Sequence, residues 1–139
     1  MASILASYFE TKMDVGLKDL AVVVNGIALM CRPENYASRK PEVDTMRAVL
    51  KKELDQSIAE PESAKAMLNG SDVFFTGREF FVGVSKHTNT EGAVAVASTW
   101  PEYPCTPVKV SHISVKNFMM ISFTLQIYLH KLYLLYGWK

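Results

Sequence analysis

Two cysteines and three histidines are the side chains of this chain best suited to nucleophilic attack, proton transfer or metal binding. A cysteine thiolate is a nucleophile, and an imidazole moves a proton near neutral pH. Their spacing says little by itself. Cys31 and Cys105 have no paired spacing, which reads as a reducing compartment, with the cytosol as default location, rather than a disulfide scaffold. Free cysteine also behaves as a small hydrophobe. His87, His112 and His130 are scattered and suggest no metal site. With 15 basic and 14 acidic side chains the net charge is +1, so nothing electrostatic points to nucleic acid or an anionic membrane.

The elements that must position such groups can be read from the apolar pattern. The 139 residues suit one ordinary domain, and 49% apolar residues can build a core. Leu20–Val24 and Ile27–Cys31 are apolar runs around Asn25-Gly26, the pair that favours a type I′ hairpin turn. Their continuous apolarity suggests strands buried on both faces. Arg32-Pro33 ends the hairpin, and Glu34 to Lys40 reads as a polar loop. A helix is expected over Pro41–Gln56, with Pro41 in its first turn and Val43, Met46, Val49, Leu50 and Leu54 on one stripe. Glu42 and Asp44 near its start and Lys51 and Lys52 near its end suit the helix dipole. A short strand is expected at Ser57 to Ala59.

The pattern then recurs. Asp72–Phe75 and Phe80–Val84 are strands around a Thr76–Glu79 turn. Asn89 caps a helix running to about Thr99, weakened by Gly92. Pro107–Val110 is a last strand. Strand–strand–helix–strand thus occurs twice, with Asp19-Leu20 and Asp72-Val73 at matching places about 50 residues apart. Such units bury a face only against a neighbour, so two of them make an incomplete set.

Leu68 to Lys86, followed by His87-Thr88-Asn89, is similar nearly residue for residue to a signature of the dimethylarginine dimethylaminohydrolases. Asp19 to Val23, Ala28 to Pro33, Ser38-Arg39 and Glu42 to Asp44 resemble a second block of that family. The resemblance covers roughly residues 13–117, the early-to-middle part of the family domain. It implies an α/β fold of pentein type, a propeller of five ββαβ modules, of which this chain holds about two.

The resemblance also implies a chemistry. The family hydrolyses N-methylated arginine to citrulline and a methylamine, in arginine and nitric-oxide-linked metabolism. A thiolate attacks the resonance-stabilised guanidinium carbon and forms a covalent intermediate. Carboxylates hold the guanidinium by charge-assisted hydrogen bonds, and arginines grip the α-carboxylate. A histidine protonates the leaving amine and then activates water. The partner is therefore a small molecule, with neither cofactor nor metal. Arg39 and Arg78 match the carboxylate-binding arginines, and Asp19 matches an aspartate on the guanidinium side.

Several positions depart from the family. Lys18 stands where the family has glutamate, and Met13 where it has a second substrate-binding aspartate, with Asp14 one place off. Ser114 aligns with the catalytic histidine, so His112 serves as that residue only if the chain shifts by two. Asn69 and Ser71 replace an aspartate and a glycine of the signature. The family's nucleophilic cysteine lies in its last blade, and neither Cys31 nor Cys105 corresponds to it.

The chain accordingly divides into an extension (1–12), a partial dimethylargininase-like domain (13–117) and a divergent apolar tail (118–139). Three accounts of the tail stand open. It is a membrane anchor, although His130 and Lys131 interrupt it; it is a buried strand or helix completing the second module; or it is a splice or gene-model departure from the family frame, which the abrupt loss of resemblance favours. The expectation is a truncated or alternative form of the hydrolase with little turnover alone. A non-catalytic pseudoenzyme or interaction module, and a tail-anchored membrane protein, are the alternatives. Oligomeric state is left open.

Overall fold

The computed structural model describes residues 19–110, which form two successive ββαβ modules. In the first, β1 (Ala21–Val24) and β2 (Ile27–Met30) form an antiparallel hairpin, α1 (Tyr36–Lys52) crosses over, and β3 (Ser57–Ala59) pairs parallel with β2. The second repeats this order: β4 (Val73–Phe75), β5 (Phe80–Val84), α2 (Thr90–Thr99), then β6 (Cys105–Lys109) parallel to β5. A parallel return needs a crossover longer than a turn, and in each module a helix supplies it.

Turn chemistry sets the first hairpin. Asn25 has φ 50° and Gly26 φ 77°, the two positive values that a type I′ turn requires. The second hairpin closes when Thr76 N–H donates to the Glu79 carbonyl (3.0 Å), leaving Gly77-Arg78 at the tip.

Helix α1 and strand β6 differ most from expectation in where they begin. Helix α1 begins at Tyr36, so Pro41 lies inside it rather than in its first turn. The Asn35 carbonyl starts the helix by accepting from the N–H groups of Ser38 (3.1 Å) and Arg39 (3.0 Å). Tyr36 is held under the Arg32 guanidinium, 5.6 Å from its ring centre. Pro41 removes one ladder bond but its fixed φ suits a helix, so these early contacts carry the helix past it. The earlier start leaves no acidic residue in the first turn, while Lys51 and Lys52 do occupy the last. Strand β6 begins two residues earlier than expected and contains Pro107, opposite Val82. Among the described residues β6 is an edge, where a residue without an N–H is tolerated.

The apolar run of β2 serves two cores. Ala28 and Met30 pack with Leu20, Val43, Met46 and Leu50, which joins the first sheet to its own helix. Leu29, and Cys31 just beyond the strand, point the other way and pack with Leu68, Phe80, Val82, Ala93, Val96 and Trp100 of the second module. Alternation along a strand makes this two-sided burial possible. Strand β1 departs from the both-faces expectation: among the described residues it is an edge, and Val23 is 47% exposed.

Helix α2 is seated by its cap. The Asn89 side-chain oxygen accepts from Gly92 N–H (2.9 Å) and Met67 N–H (3.0 Å), while its amide donates to the Lys65 carbonyl (2.8 Å). One side chain thus caps the helix and ties the preceding loop to it. Gly92 is a requirement of this seat. A Cβ there would run into the Met67 carbonyl oxygen and lie 3.3 Å from Leu68 Cβ. Gly92→Ala therefore destabilises the chain by about 1–3 kcal/mol through overpacking, although alanine is the better helix former. Urea denaturation followed by circular dichroism measures this loss.

Candidate functional site

Asp19 and Arg39, two of the expected site residues, meet near the start of β1, beside the turn that leads into β4. Asp19 lies two residues before the first residue of β1, and a short 3₁₀ turn, Gly70–Asp72, leads into β4. The Asp19 carboxylate accepts from the Ser71 hydroxyl through Oδ1. Its Oδ2 faces the Arg39 guanidinium at 3.8 Å, and Arg39 Nε donates to Glu42 Oε2 (3.2 Å). Helix α1 supplies Arg39 and Glu42 from adjacent turns, so both reach Asp19's side. Asp19 and Arg39 are each about one-fifth exposed, open to a ligand yet not fully solvated.

Behind Ser71 lies a buried hydrogen-bond chain. Thr88 is fully buried and donates to Asp72 Oδ2 (2.6 Å). The Asn69 N–H donates back to Thr88 Oγ1 (3.1 Å), and Asn69's side chain accepts from Ser71 N–H (2.9 Å). Burial pushes the Asp72 carboxyl up, the Thr88 bond and the charge of His87 oppose this, and the Asp19 charge adds to it. His87 itself pairs with Glu34 across the module boundary, Nδ1 to Oε2 at 2.8 Å.

The structure brings together some of the expected site residues and separates others. Asp19 and Arg39 are partners. Arg78 is exposed at the tip of the β4–β5 hairpin, beyond the far end of β4 from Asp72. His112, Met13, Lys18, Ser114 and the 118–139 tail lie outside the described residues. Cys31 is buried, and burial pushes its thiol strongly up, with the charges of Asp19 and Asp72 acting the same way. Burial also raises the Cys105 thiol. Neither environment yields the thiolate that attack requires. Among the described residues no cluster of three or more His, Cys, Asp or Glu could hold a metal, and no helix is long and apolar enough to cross a membrane. An open groove of about 490 Å³ lies elsewhere, at Val84, Ser85, Lys86, Pro107, Lys109 and Val110, and contains none of the expected site residues.

Ser71, Thr88 and the His87–Glu34 pair were not visible as site components in the sequence. The matching positions of Asp19 and Asp72 were the available signal, since they place both strand entries at one end of the paired modules.

No protein-family model matches the chain. Two curated proteins named putative hydrolase DDAH2 do: the human protein, 47% identical over 95 residues, and the Bos taurus protein, 46% identical over 98 residues. These matches cover 68% and 70% of this chain but 33% and 34% of the relatives, so the chain spans about a third of their length. Among solved structures, the Pseudomonas aeruginosa DDAH complexed with citrulline superposes with a TM-score of 0.61 at 19% identity, over 69% of this chain and 38% of that one. The N-terminal domain of ArgZ, covalently bound to a reaction intermediate, gives a TM-score of 0.60 at 14% identity, over 70% of this chain and 36% of that one.

Repeated ββαβ modules with these structural neighbours define an α/β protein of the pentein type. Over the residues matched, the chain is a segment of the dimethylarginine dimethylaminohydrolase family.

The Asp72–Thr88 pair sets two expected outcomes. Thr88→Val strands a buried carboxylate and the Asn69 N–H, costing about 1–3 kcal/mol in urea denaturation. Because the folded chain holds the Asp72 proton more tightly than the unfolded chain, that group's contribution is fully present below the ordinary carboxylate range. It is lost as pH rises through the raised value. Asp72→Asn still accepts from Thr88 and removes this dependence, so its stability relative to the parent chain rises from acid to neutral pH.

Proposed function

We propose that this chain carries part of a binding site for an N-methylated arginine, within the hydrolase chemistry of its family, and that it turns over little or none by itself. The observation that carries this reading is the Asp19–Arg39 pair at the entry to β1: a partly open carboxylate already faces a guanidinium. In the reading, Asp19 holds the substrate guanidinium, while Arg39 and Arg78 serve the α-carboxylate. Arg39 would then exchange Asp19 for the ligand's carboxylate on binding. The citrulline held by the Pseudomonas aeruginosa relative is the product this chemistry calls for. His112 is the candidate for proton transfer to the leaving amine.

Low turnover follows from the cysteines. The chain has two, and burial disfavours the thiolate of both. Without a thiolate, the resonance-stabilised guanidinium carbon has no attacking group. The proposal includes the partial domain over 13–117, the extension and tail on either side, and a cytoplasmic location consistent with free cysteines. A non-catalytic interaction module is the second reading. It is favoured by the engagement of both Asp19 oxygens, one by Ser71 and one by Arg39.

Purified chain incubated with asymmetric dimethylarginine is expected to bind it, measured by calorimetry, and to release no citrulline above a protein-free blank. Asp19→Asn is expected to lose that binding. Citrulline release at ordinary enzymatic rates overturns the low-turnover proposal. Absence of any binding leaves the interaction-module reading in its place.

A further inference from the structure

We propose that Ser71 is a positioning residue for the Asp19 carboxylate, fixing from the second module the edge that a guanidinium must meet on the first. The inference rests on the functional reading above. Its starting point is a bond between the two modules: the Ser71 hydroxyl, in the turn before β4, donates to Asp19 Oδ1 at the entry to β1.

Ser71 is itself held in place, which a positioning residue must be. Its N–H donates to the Asn69 side chain (2.9 Å), and Asp72 N–H donates to the Asn69 carbonyl (3.0 Å), closing the 3₁₀ turn. Asn69 is anchored in turn by its N–H bond to the fully buried Thr88, whose hydroxyl is committed to the buried Asp72. The Ser71 hydroxyl therefore projects from a base tied into the second module's interior.

The geometry gives the two Asp19 oxygens different tasks. Oδ1 accepts from Ser71, and Oδ2 is left facing Arg39 at 3.8 Å. A carboxylate accepts several hydrogen bonds, so Oδ1 retains capacity for a second donor. Rotation about the terminal side-chain torsion is broad and roughly two-fold for an aspartate. The Ser71 bond selects one orientation. Planar guanidinium–carboxylate pairing is sensitive to that orientation, because two parallel N–H bonds must meet one edge. Without Ser71 the carboxylate still carries its charge, but its edge is no longer held.

The test uses the whole chain with Ser71→Ala, Ser71→Gly as a second hydroxyl-free variant suited to the turn, and Ser71→Thr, which keeps the donor. Two readouts are taken: calorimetric titration with asymmetric dimethylarginine, and the NMR resonance of the Arg39 Nε–H group, which reports its pairing with Asp19 and Glu42. The hydroxyl-free variants are expected to bind dimethylarginine about tenfold more weakly, the scale of one hydrogen bond to a charged group. They should also shift the Arg39 resonance, with Ser71→Thr restoring both. Unchanged affinity with an unmoved resonance overturns the proposal. If the parent chain binds no dimethylarginine, the functional reading fails, and the resonance alone decides on Ser71. A shift reversed by threonine supports positioning of Asp19; no shift overturns it.

Discussion

Trp100 is the contact on which the arrangement depends. Its indole is fully buried, stacks on Phe80 with ring centres 4.9 Å apart, and donates through Nε1 to the Val24 carbonyl of the first module (3.2 Å). Among the described residues the first sheet has two apolar faces and one helix of its own. Helix α2 and Trp100 cover the second face, joining Leu29 and Cys31 to Phe80, Val82 and Val96 in one core. Truncating so deeply buried an aromatic costs about 3–5 kcal/mol, against the roughly 5–15 kcal/mol that holds a typical domain together. The second module covers that face of the first sheet, so each module contributes to the other's core.

The candidate site inherits this dependence. Asp19 and Arg39 belong to the first module, Ser71, Asp72 and Thr88 to the second, and Glu34 and His87 bridge the two. Any rotation of one module against the other changes the Asp19–Ser71 contact before it disturbs the hairpins. The packing of Trp100 therefore acts at the site without touching it.

What the sequence disclosed tracks how local each cause is. Asn25-Gly26 sets its hairpin through two φ values, and Asn89 caps α2 through a residue three places on. Both causes lie within a few residues and were legible. The ββαβ repeat was legible because apolar runs and turn residues recur. The start of α1 was not, since a proline marks the first turn of a helix more often than its interior, and the contacts that carry α1 past Pro41 involve Arg32 and Asn35. The glycine at 92 read as a weakness because Met67, whose carbonyl it must admit, is 25 positions earlier and adjacent only in the fold. Ser71 and Asp19 are 52 residues apart in sequence, and no pattern short of a fold brings a turn hydroxyl to a strand-entry carboxylate. The ion pair of Asp19 with Arg39 was not foretold either, since it joins a strand entry to a helix 20 residues on.

The docking of α2 on the first sheet has a consequence for the chain's manufacture. Val24 and Trp100 are separated by 76 residues. At roughly 5–20 residues per second, a ribosome takes about 4–15 s to make the segment between them. Throughout that interval the Val22, Val24, Ile27 and Leu29 face has no cover from the second module. A nascent hairpin with an apolar face and open edges is a substrate for holding chaperones and a template for mispairing. The hazard ends when Trp100 emerges and the second face closes.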